Sequence, residues 1–387
     1  LFDFCGFFVI VYNTMARTKK ETEDNVVDTG SIDDALKILD DLNPEASFLS
    51  ENSLSTVKEW ISTGSYALNG IISGSLHKGI PMGRITGFSG PSGCGKTLIL
   101  NKIAANAQKK GVNVVYFDTE SALDKDTAER LGCDVSKIKH CPTEIIEDCR
   151  NQIVKFLKAI VDNKLQGKFM IIIDSLGNLI SSREAKVIED QKDSADMGAK
   201  SVAYKSMLRA ITHAASKANC PVLFSNHTYE NPGALYPTLV KSQAGGSGPL
   251  YMSSVLVQMS TKQEKASKLD NKNAVEESTA ISKDVNGLTL RFVTTKNRFV
   301  TPFLETELYL NFRTGLAKYS GLLEMAEAYG VLEKQGHRYA FQGETLGFYK
   351  DFRDNAEVWE KIIPVLDAKL QKELSFKNEN TTTENEE

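Results

Sequence analysis

The sequence predicts an α/β protein with a mainly parallel, twisted sheet flanked by helices and antiparallel strands at one edge. A short N-terminal helical arm and a small C-terminal α+β segment are attached to it. Three observations predict this. From about Trp60 to Ser320, strand-length apolar runs alternate with stretches of helical period. The runs KFMIIIDS (168–175) and CPVLFSNH (220–227) are almost continuously apolar, as parallel strands buried on both faces must be. Three further runs, VLVQMS (255–260), LTLRFVTT (288–295) and FLETELYL (303–310), follow one another with no helix between them. They read as antiparallel strands extending the sheet edge.

Taken in order, the chain opens on LFDFCGFFVIVYNT (1–14), which is mostly apolar. A membrane-spanning helix needs ~20 apolar residues, so this run is too short. It also lacks the basic flank and the small-residue cleavage site of a signal peptide. Met15 is followed by ARTKKETED, an ordinary soluble N-terminus, so residues 1–14 are read as lying upstream of the true start. Residues 1–30 are expected to be a disordered leader. Ile32, Ala35, Leu36, Leu39 and Leu42 then recur at helical spacing until Pro44, which predicts an amphipathic arm within 31–58. The arm packs either on its own domain or on a neighbouring subunit. The core is expected over 59–320, a small mixed segment with Trp359 over 321–375, and an acidic disordered tail over 376–387.

With 387 residues, 41% hydrophobic and 25% charged, the composition is that of a soluble globular protein. Lys plus Arg is 46 and Asp plus Glu is 50, a net charge of −4. Average charge therefore does not attract nucleic acid, and any such binding must use local basic surface or backbone groups. The six cysteines form no CxxC pair and no zinc-ligand spacing with histidine. They read as small buried residues of a reducing, cytoplasmic compartment.

Within the first strand–helix unit, RITGFSG (84–90) is an apolar strand running into a glycine turn, and a helix follows from Lys96 to Lys110. The turn Gly90-Pro91-Ser92-Gly93-Cys94-Gly95-Lys96-Thr97 matches G-x-x-x-x-G-K-[ST] in full. Glycines let successive N–H groups turn toward one anion. The helix start adds the positive end of its dipole, Lys96 reaches the β- and γ-phosphates, and Thr97 offers a hydroxyl to Mg²⁺. ATP and Mg²⁺ are the cofactors this implies. Asp174, ending the strand MIIID, suits the second metal-binding oxygen. Glu120 follows the strand VNVVYFDT (112–119), at the carboxyl edge where ligands gather in parallel sheets, and can take a proton from an attacking water. Asp118 competes for that role, and spacing alone does not choose. His77, His140, His213 and His337 show no partner pattern.

These residues carry a family resemblance. TGSYALNGIISGSLHKGIPMGRITGFSGPSGCGKT (63–97) resembles the opening of the RecA core, and VVYFDTESALD (114–124) resembles the segment with that family's catalytic glutamate, which falls on Glu120. Asp124, at the end of that segment, joins the nucleotide-binding set by the same resemblance. FMIIIDSLGNLISSREAK (169–186), with the spacing at Ser194–Lys200, resembles the second nucleotide motif and the first DNA loop. SNHTYENPG (225–233) and GGSGPLY (245–251) bracket what resembles the second. TTKNRFVTPF (294–303) resembles the stretch that reaches the neighbouring subunit's ATP, with Lys296 and Arg298 as its cations. IDSLGNL, DMG, SNHTYE and YSGLLEMA (319–326) look more like the phage UvsX-type recombinases than bacterial RecA. His227 sits where bacterial RecA has a γ-phosphate-sensing glutamine. The resemblance covers about residues 55–335.

It implies an ATP-dependent recombinase that self-associates into a helical filament on single-stranded DNA and exchanges strands with homologous duplex DNA. Loader and single-strand-binding proteins are implied as partners, and no membrane. DNA contact is expected from Met197, Gly198, Lys200 and Arg209, the basic residues lying with Lys205 near helical period, and from Lys241, Gln243, Gly245 and Gly246. There are departures. Thr127 stands where bacterial RecA stacks an aromatic on adenine, which puts the base contact in doubt. The first loop, 181–198, holds more acids than bases, with Arg183, Lys186 and Lys192 its only cations. Two rivals are another RecA-fold ATPase, such as a ring helicase or a signalling ATPase, and an ATP-bound protein that only coats DNA.

Overall fold

A computed structural model describes residues 29–43, 45–48, 50, 56–190, 197–229, 241–265, 285–311 and 315–374. Residues 1–28 of the expected leader, the stop at Pro44, the acidic tail and part of each candidate DNA loop (191–196 and 230–240) lie outside the described residues. The chain divides into two units, Leu1–Ser53 and Leu54–Glu387. In the first, helix α1 (Thr29–Leu42) takes in the last two residues of the expected leader and residues 31–42 of the predicted arm. Taken by itself, it leaves Ile32, Ile38, Leu39 and Leu42 exposed.

In the second unit, β1 (Trp60–Ile61) and β2 (Ile80–Pro81) pair antiparallel around α2 (Tyr66–Ser73), whose N-cap hydroxyl, Ser65, accepts from the Leu68 N–H. There follow β3 (Ile85–Gly90), α3 (Lys96–Lys109), β4 (Asn113–Asp118), α4 (Lys125–Arg130), β5 (Ile138–Pro142), α5 (Ile146–Asp162) and β6 (Phe169–Asp174). Next come α6 (Ser182–Glu189), α7 (Met197–Lys217), β7 (Val222–Tyr229), β8 (Ser242–Gln243), α8 (Gly248–Met252) and β9 (Val255–Lys265). The sheet ends with β10 (Val285–Asn297), β11 (Glu305–Asn311) and β12 (Gly315–Leu316). Its order is β12-β11-β10-β9-β3-β7-β6-β4-β5, with β8 paired to β7.

This is the expected mainly parallel sheet with an antiparallel edge. The three final runs pair antiparallel with one another as expected, and β9 joins them to the parallel part by running parallel to β3. The short helix α8 lies just before β9. It belongs to the connection between β7 and β9, which both run parallel to β3 and therefore need a crossover. The sequence reading also passed over β5 and α4. The strand β5 lies at the sheet edge, and none of its residues is fully buried, so it has no apolar run to betray it.

Alternation along the strands divides the core in two. Val114, Tyr116, Met170 and Ile172 face one side with Ile99, Leu100 and Ile103 of α3. Val115, Phe117, Ile171 and Ile173 face the other with Ile153 and Leu157 of α5 and Met207, Leu208 and Ile211 of α7. The chain after the sheet forms α9 (Leu322–Ala328), the hairpins β13 (Glu333–Gln335), β14 (Arg338–Phe341) and β15 (Glu344–Gly347), then α10 (Tyr349–Phe352) and α11 (Ala356–Leu374). No separate core marks the boundary expected at 320/321, since these elements share the first cluster. Asp367 of α11 accepts from Ser75 Oγ at 2.9 Å and the Leu76 N–H at 2.6 Å. Among the described residues no helix is long and apolar enough to cross a membrane.

Trp359 is fully buried, stacks on Tyr319 with centroids 5.7 Å apart and donates its indole N–H to the Arg353 carbonyl at 2.9 Å. Trp359→Ala should therefore cost about 3–5 kcal/mol, the usual scale for emptying a large aromatic site. Because the cluster is continuous with the sheet, the loss should appear as a lower urea midpoint of the main unfolding transition.

Candidate functional site

The strand β3 ends on Gly90 and α3 begins at Lys96, so the glycine loop spans the junction. Gly93 and Gly95 hold φ of 74° and 82°, left-handed values at which a side chain would be strained. Helix α3 has Gly95 at its N-cap and no side-chain cap, which leaves its first-turn N–H groups to an anion. Lys96 is buried and donates to the loop's own carbonyls, Gly90 O at 3.1 Å and Pro91 O at 2.8 Å. Pro91, Ser92 and Gly93 are exposed at the loop's crest. Cys94 is turned inward, and burial pushes its thiol up, with Lys96 pulling the other way. It is a packing residue of the loop.

Thr97 Oγ1 donates to Asp174 Oδ2 at 2.7 Å, so the two expected metal oxygens meet. Tyr116 OH donates to the same oxygen at 2.7 Å, and Ser225 Oγ donates to Oδ1. Among the described residues no group of three or more His, Cys, Asp or Glu is poised for a metal. Mg²⁺ needs no such cage, because it keeps waters and takes one or two protein oxygens alongside the phosphates of its nucleotide. An uncapped helix start, a buried lysine and a Thr–Asp oxygen pair fit ATP with Mg²⁺. Bound there, the metal would supply charge neutralisation between the phosphates.

Asp118 and Glu120 have different surroundings. Asp118 is 4% exposed and accepts from the N–H groups of Glu120, Ala122 and Leu123 at 3.1, 3.3 and 3.2 Å. Its Oδ2 also lies 3.0 Å from His140 Nε2. Burial pushes this carboxyl up, but the bonds from His140 and the three amides outweigh it and hold it below the usual range. Asp118 is thus committed to shaping the turn after β4. Glu120 is exposed: Ser175 Oγ donates to its Oε1 at 2.6 Å, and His227 Nε2 lies 3.3 Å from the same atom. The expected His227 and Glu120 are therefore brought together beside Asp174. The reading of His140 as partnerless is corrected. Tyr116, Ser175 and Ser225 were not anticipated, although strand alternation already put Tyr116 on the face of Asp118. Asp124 is not brought to the loop. It caps α4, accepting from the Thr127 N–H at 2.9 Å and Thr127 Oγ1 at 2.8 Å.

The candidate DNA residues divide. Met197 and Gly198 open α7, and Arg209 is exposed on it. Lys205 and Arg209, four apart, share a face, but Lys200 lies nine residues from Arg209, two and a half turns, and so faces the opposite way. The expected common stripe is corrected to two residues. Lys200 instead lies 3.8 Å from Glu184 Oε2 of α6. Gln243 turns inward as well: its Nε2 donates to Ser89 Oγ at 3.2 Å. Gly245 and Gly246 hold φ of 84° and 64°, and a Cβ on either would meet Tyr204 or Ser201 of α7 at 2.9 Å. These glycines let the returning chain lie on α7. The Lys241 N–H is held by Gln258 Oε1 at 3.0 Å.

Lys296 and Arg298 are not near the glycine loop of their own chain. Lys296 pairs with Leu256 of β9, which is level with Gly87 of β3, and the Arg298 N–H donates to Ser254 O just before β9. Both lie toward the start of β3, whereas the loop follows its end. The Lys296 ammonium donates to Leu250 O and Tyr251 O at 2.7 and 2.8 Å. Burial, then Arg298, bring it down to about 8.

Residues 31–317 match the family profile described as RecA N-terminal domain. The chain is 28% identical over 316 residues to Protein RecA of Anaplasma marginale (strain Florida), covering 81% of this chain and 79% of that protein. With Protein RecA of Wolbachia sp. subsp. Brugia malayi (strain TRS) it shares 28% over 333 residues, 84% of each. With that of Thermus aquaticus it shares 29% over 291 residues, 73% of this chain and 78% of the other.

Two outcomes follow from the site. Glu120→Gln should still bind ATP while turnover falls at least ~10²-fold, the scale of a lost general base, whereas Asp118→Asn should chiefly lower thermal stability. A binding and turnover assay on both variants separates them, and the opposite pattern would assign the base to Asp118. For Lys296 the folded protein disfavours the charged form. Stability should therefore rise as pH climbs from about 8 toward the ordinary lysine value near ~10.4. Lys296→Met should flatten that rise in urea midpoints taken across the range.

Proposed function

The chain belongs to the RecA family, and from that premise we propose that it is a recombinase of the UvsX type, working as a head-to-tail filament in which each ATP is shared by two subunits. Members of the family are DNA-dependent ATPases that use ATP and Mg²⁺, and homology over about four fifths of the chain makes this one an ATP-dependent DNA recombinase. It binds single-stranded and duplex DNA and assembles into filaments. The finer assignment to the UvsX type rests on IDSLGNL, DMG, SNHTYE and YSGLLEMA. In this reading the protein acts in the cytoplasm of a bacterial host, served by loader and single-strand-binding proteins. Helix α1 docks its exposed Ile38, Leu39 and Leu42 on a neighbouring subunit.

Lys96 and the loop amides hold the phosphates, with Thr97 and Asp174 on the metal. Glu120 takes the proton of the attacking water, and His227 beside it reads the γ-phosphate. Arg209 with Lys205, and the amides at Gly198, Gly245 and Gly246, meet DNA phosphates. ATP favours the DNA-gripping conformer, and hydrolysis releases it.

The sharing of ATP is carried by one observation. Lys296 and Arg298 sit toward the start of the parallel strands, and the phosphate loop and Glu120 at their ends. Along the strand direction, at ~3.3 Å per residue, Lys296 at the level of Gly87 lies roughly 10 Å from Gly90 and Arg298 at the level of Ile85 roughly 17 Å; with two strand spacings of ~4.8 Å between β10 and β3 added, both exceed the reach of a side chain within one subunit. A heterologous, head-to-tail contact sets the start face of one copy on the end face of the next. The two cations then approach the neighbour's γ-phosphate, a contribution worth ~10³–10⁵ in rate in comparable sites.

Glu120→Gln and the double variant Lys296→Ala, Arg298→Ala should each be nearly inactive. Mixed in equal amounts on single-stranded DNA, about a quarter of the interfaces join an intact Glu120 face to intact Lys296 and Arg298, and DNA-stimulated ATPase should reappear. Co-assembly with no return of activity would show that these residues do not act across the interface.

A further inference from the structure

Gln243 is the residue whose placement departs furthest from its expected role. It lies on β8, the two-residue strand that brings the chain back beside β7 after residues 230–240. Thr228 pairs with Gln243 and Tyr229 with Ser242. The return is tied down on both sides. The Ala244 N–H donates to His227 O at 3.1 Å, Asn226 Nδ2 donates to Ala244 O at 2.8 Å, and the Lys241 N–H donates to Gln258 Oε1 of β9 at 3.0 Å. Gln243 adds a tie to a different place. Its Nε2 reaches Ser89 Oγ at 3.2 Å, and Ser89 is completely buried and immediately precedes Gly90, the first residue of the phosphate loop.

The chemistry of this contact is unusual in one respect. The Ser89 hydroxyl accepts from Gln243 and donates its one proton to Val257 O at 3.4 Å. The amide is only half used: its Oε1 is buried and meets no donor among the described residues. The assignment of O and N on an amide does not alter this, because a hydroxyl can satisfy one end of the group only. A buried polar atom without a partner costs free energy. An amide with one end held and the other unsatisfied is therefore readily exchanged when either strand shifts. A rigid structural bond would lack that property.

We propose that Gln243 is a positioning residue that couples the second DNA loop to the phosphate loop, through its hydrogen bond to Ser89. It does not itself contact DNA. Movement of the loop that β8 anchors pulls on the residue before Gly90, and nucleotide bound on the phosphate loop biases the loop in return. This path runs beside the one through His227 and Glu120, and uses neither. It rests on the reading of the segment bracketed by 225–233 and 245–251 as a DNA loop and so deepens the proposed function.

Linkage makes the coupling measurable: if nucleotide changes DNA affinity by some factor, DNA changes nucleotide affinity by the same factor. The experiment measures the affinity of a labelled oligothymidylate by anisotropy with ADP and with a non-hydrolysable ATP analogue, and takes the ratio. It is run on the full-length protein, on Ser89→Ala, on Gln243→Leu and on the double variant. If the unsubstituted protein shows no nucleotide-dependent DNA affinity at all, the recombinase reading fails before this one is reached. Given a ratio in the ~5–150-fold range of typical couplings, each single variant should lower it by the same factor, severalfold. The double variant should lower it no further, because all three lack one bond. Ser89→Ala should bind ADP in the absence of DNA within about twofold of normal, which a general loss of structure would not allow. Losses that multiply in the double variant, or a Ser89→Ala ratio equal to the parent's, would overturn the proposal. Should Gln243→Leu fold poorly, the Ser89→Ala ratio alone decides.

Discussion

The buried carboxylate of Asp174 is the contact on which the rest of the site depends. A carboxylate at 4% exposure would be strongly disfavoured without partners. It obtains them from three other elements: Thr97 on α3, Tyr116 on β4 and Ser225 on β7. Each is a neutral hydroxyl, so the group's negative charge is solvated but not neutralised. That distinction matters chemically. A lysine or arginine in the same place would satisfy the carboxylate and leave little reason for a divalent ion to approach. Burial, then Asp174, push the Tyr116 phenol far up, so it remains a donor. The same hydroxyls draw β4, β6, β7 and α3 toward one point at the carboxyl edge of the sheet. The strand register that carries Glu120 and His227 and the helix that carries Lys96 are thereby set against one another.

A parallel sheet has a second consequence. Its strands all deliver their ends to one side, so the phosphate loop, Glu120, Asp174 and His227 share an edge. The antiparallel strand β10 runs the other way and delivers Lys296 and Arg298 to the opposite edge. A single subunit therefore has the acids and the phosphate cradle at one end and the extra cations at the other. Lys296 also has its ammonium on two carbonyls and its pKa held down to about 8 by burial and Arg298. Among the described residues no carboxylate pairs with that ammonium, whose hydrogen bonds go to two backbone carbonyls.

Much of this was legible in the sequence, for physical reasons that differ by element. The phosphate loop is local: its glycines, lysine and threonine must be adjacent, and they were read in full. The buried strands β6 and β7 announce themselves because both faces are covered. The half-exposed β5 has no such signature. The parallel setting of β9 was also hidden, because the connection before it holds only a five-residue helix, α8, too short to show a helical period. Side-chain direction was the least legible. Lys200, Lys205 and Arg209 look like a set until nine residues are recognised as a half-turn offset. Gln243 looks like polar reach until its partner Ser89, 154 positions away in sequence, is seen. His140 likewise gains its meaning only from Asp118, on the neighbouring parallel strand.

The two acids after β4 show how a fold assigns chemistry to residues that the sequence leaves equivalent. Asp118 is the last residue of the strand, so its side chain still points into the layered interior, where three amides of the following turn and His140 converge on it. Those bonds hold its pKa low and occupy its lone pairs, and a carboxylate so held is a poor proton acceptor. Two residues on, the turn that Asp118 itself shapes carries Glu120 out to the edge. Described contacts there fall on one oxygen only, from Ser175 and His227. The other is left for a water. The turn that Asp118 holds thus sets where Glu120 stands. Exchanging their roles would require the turn to be rebuilt, since the bonds that disqualify Asp118 as a base are the bonds that present Glu120.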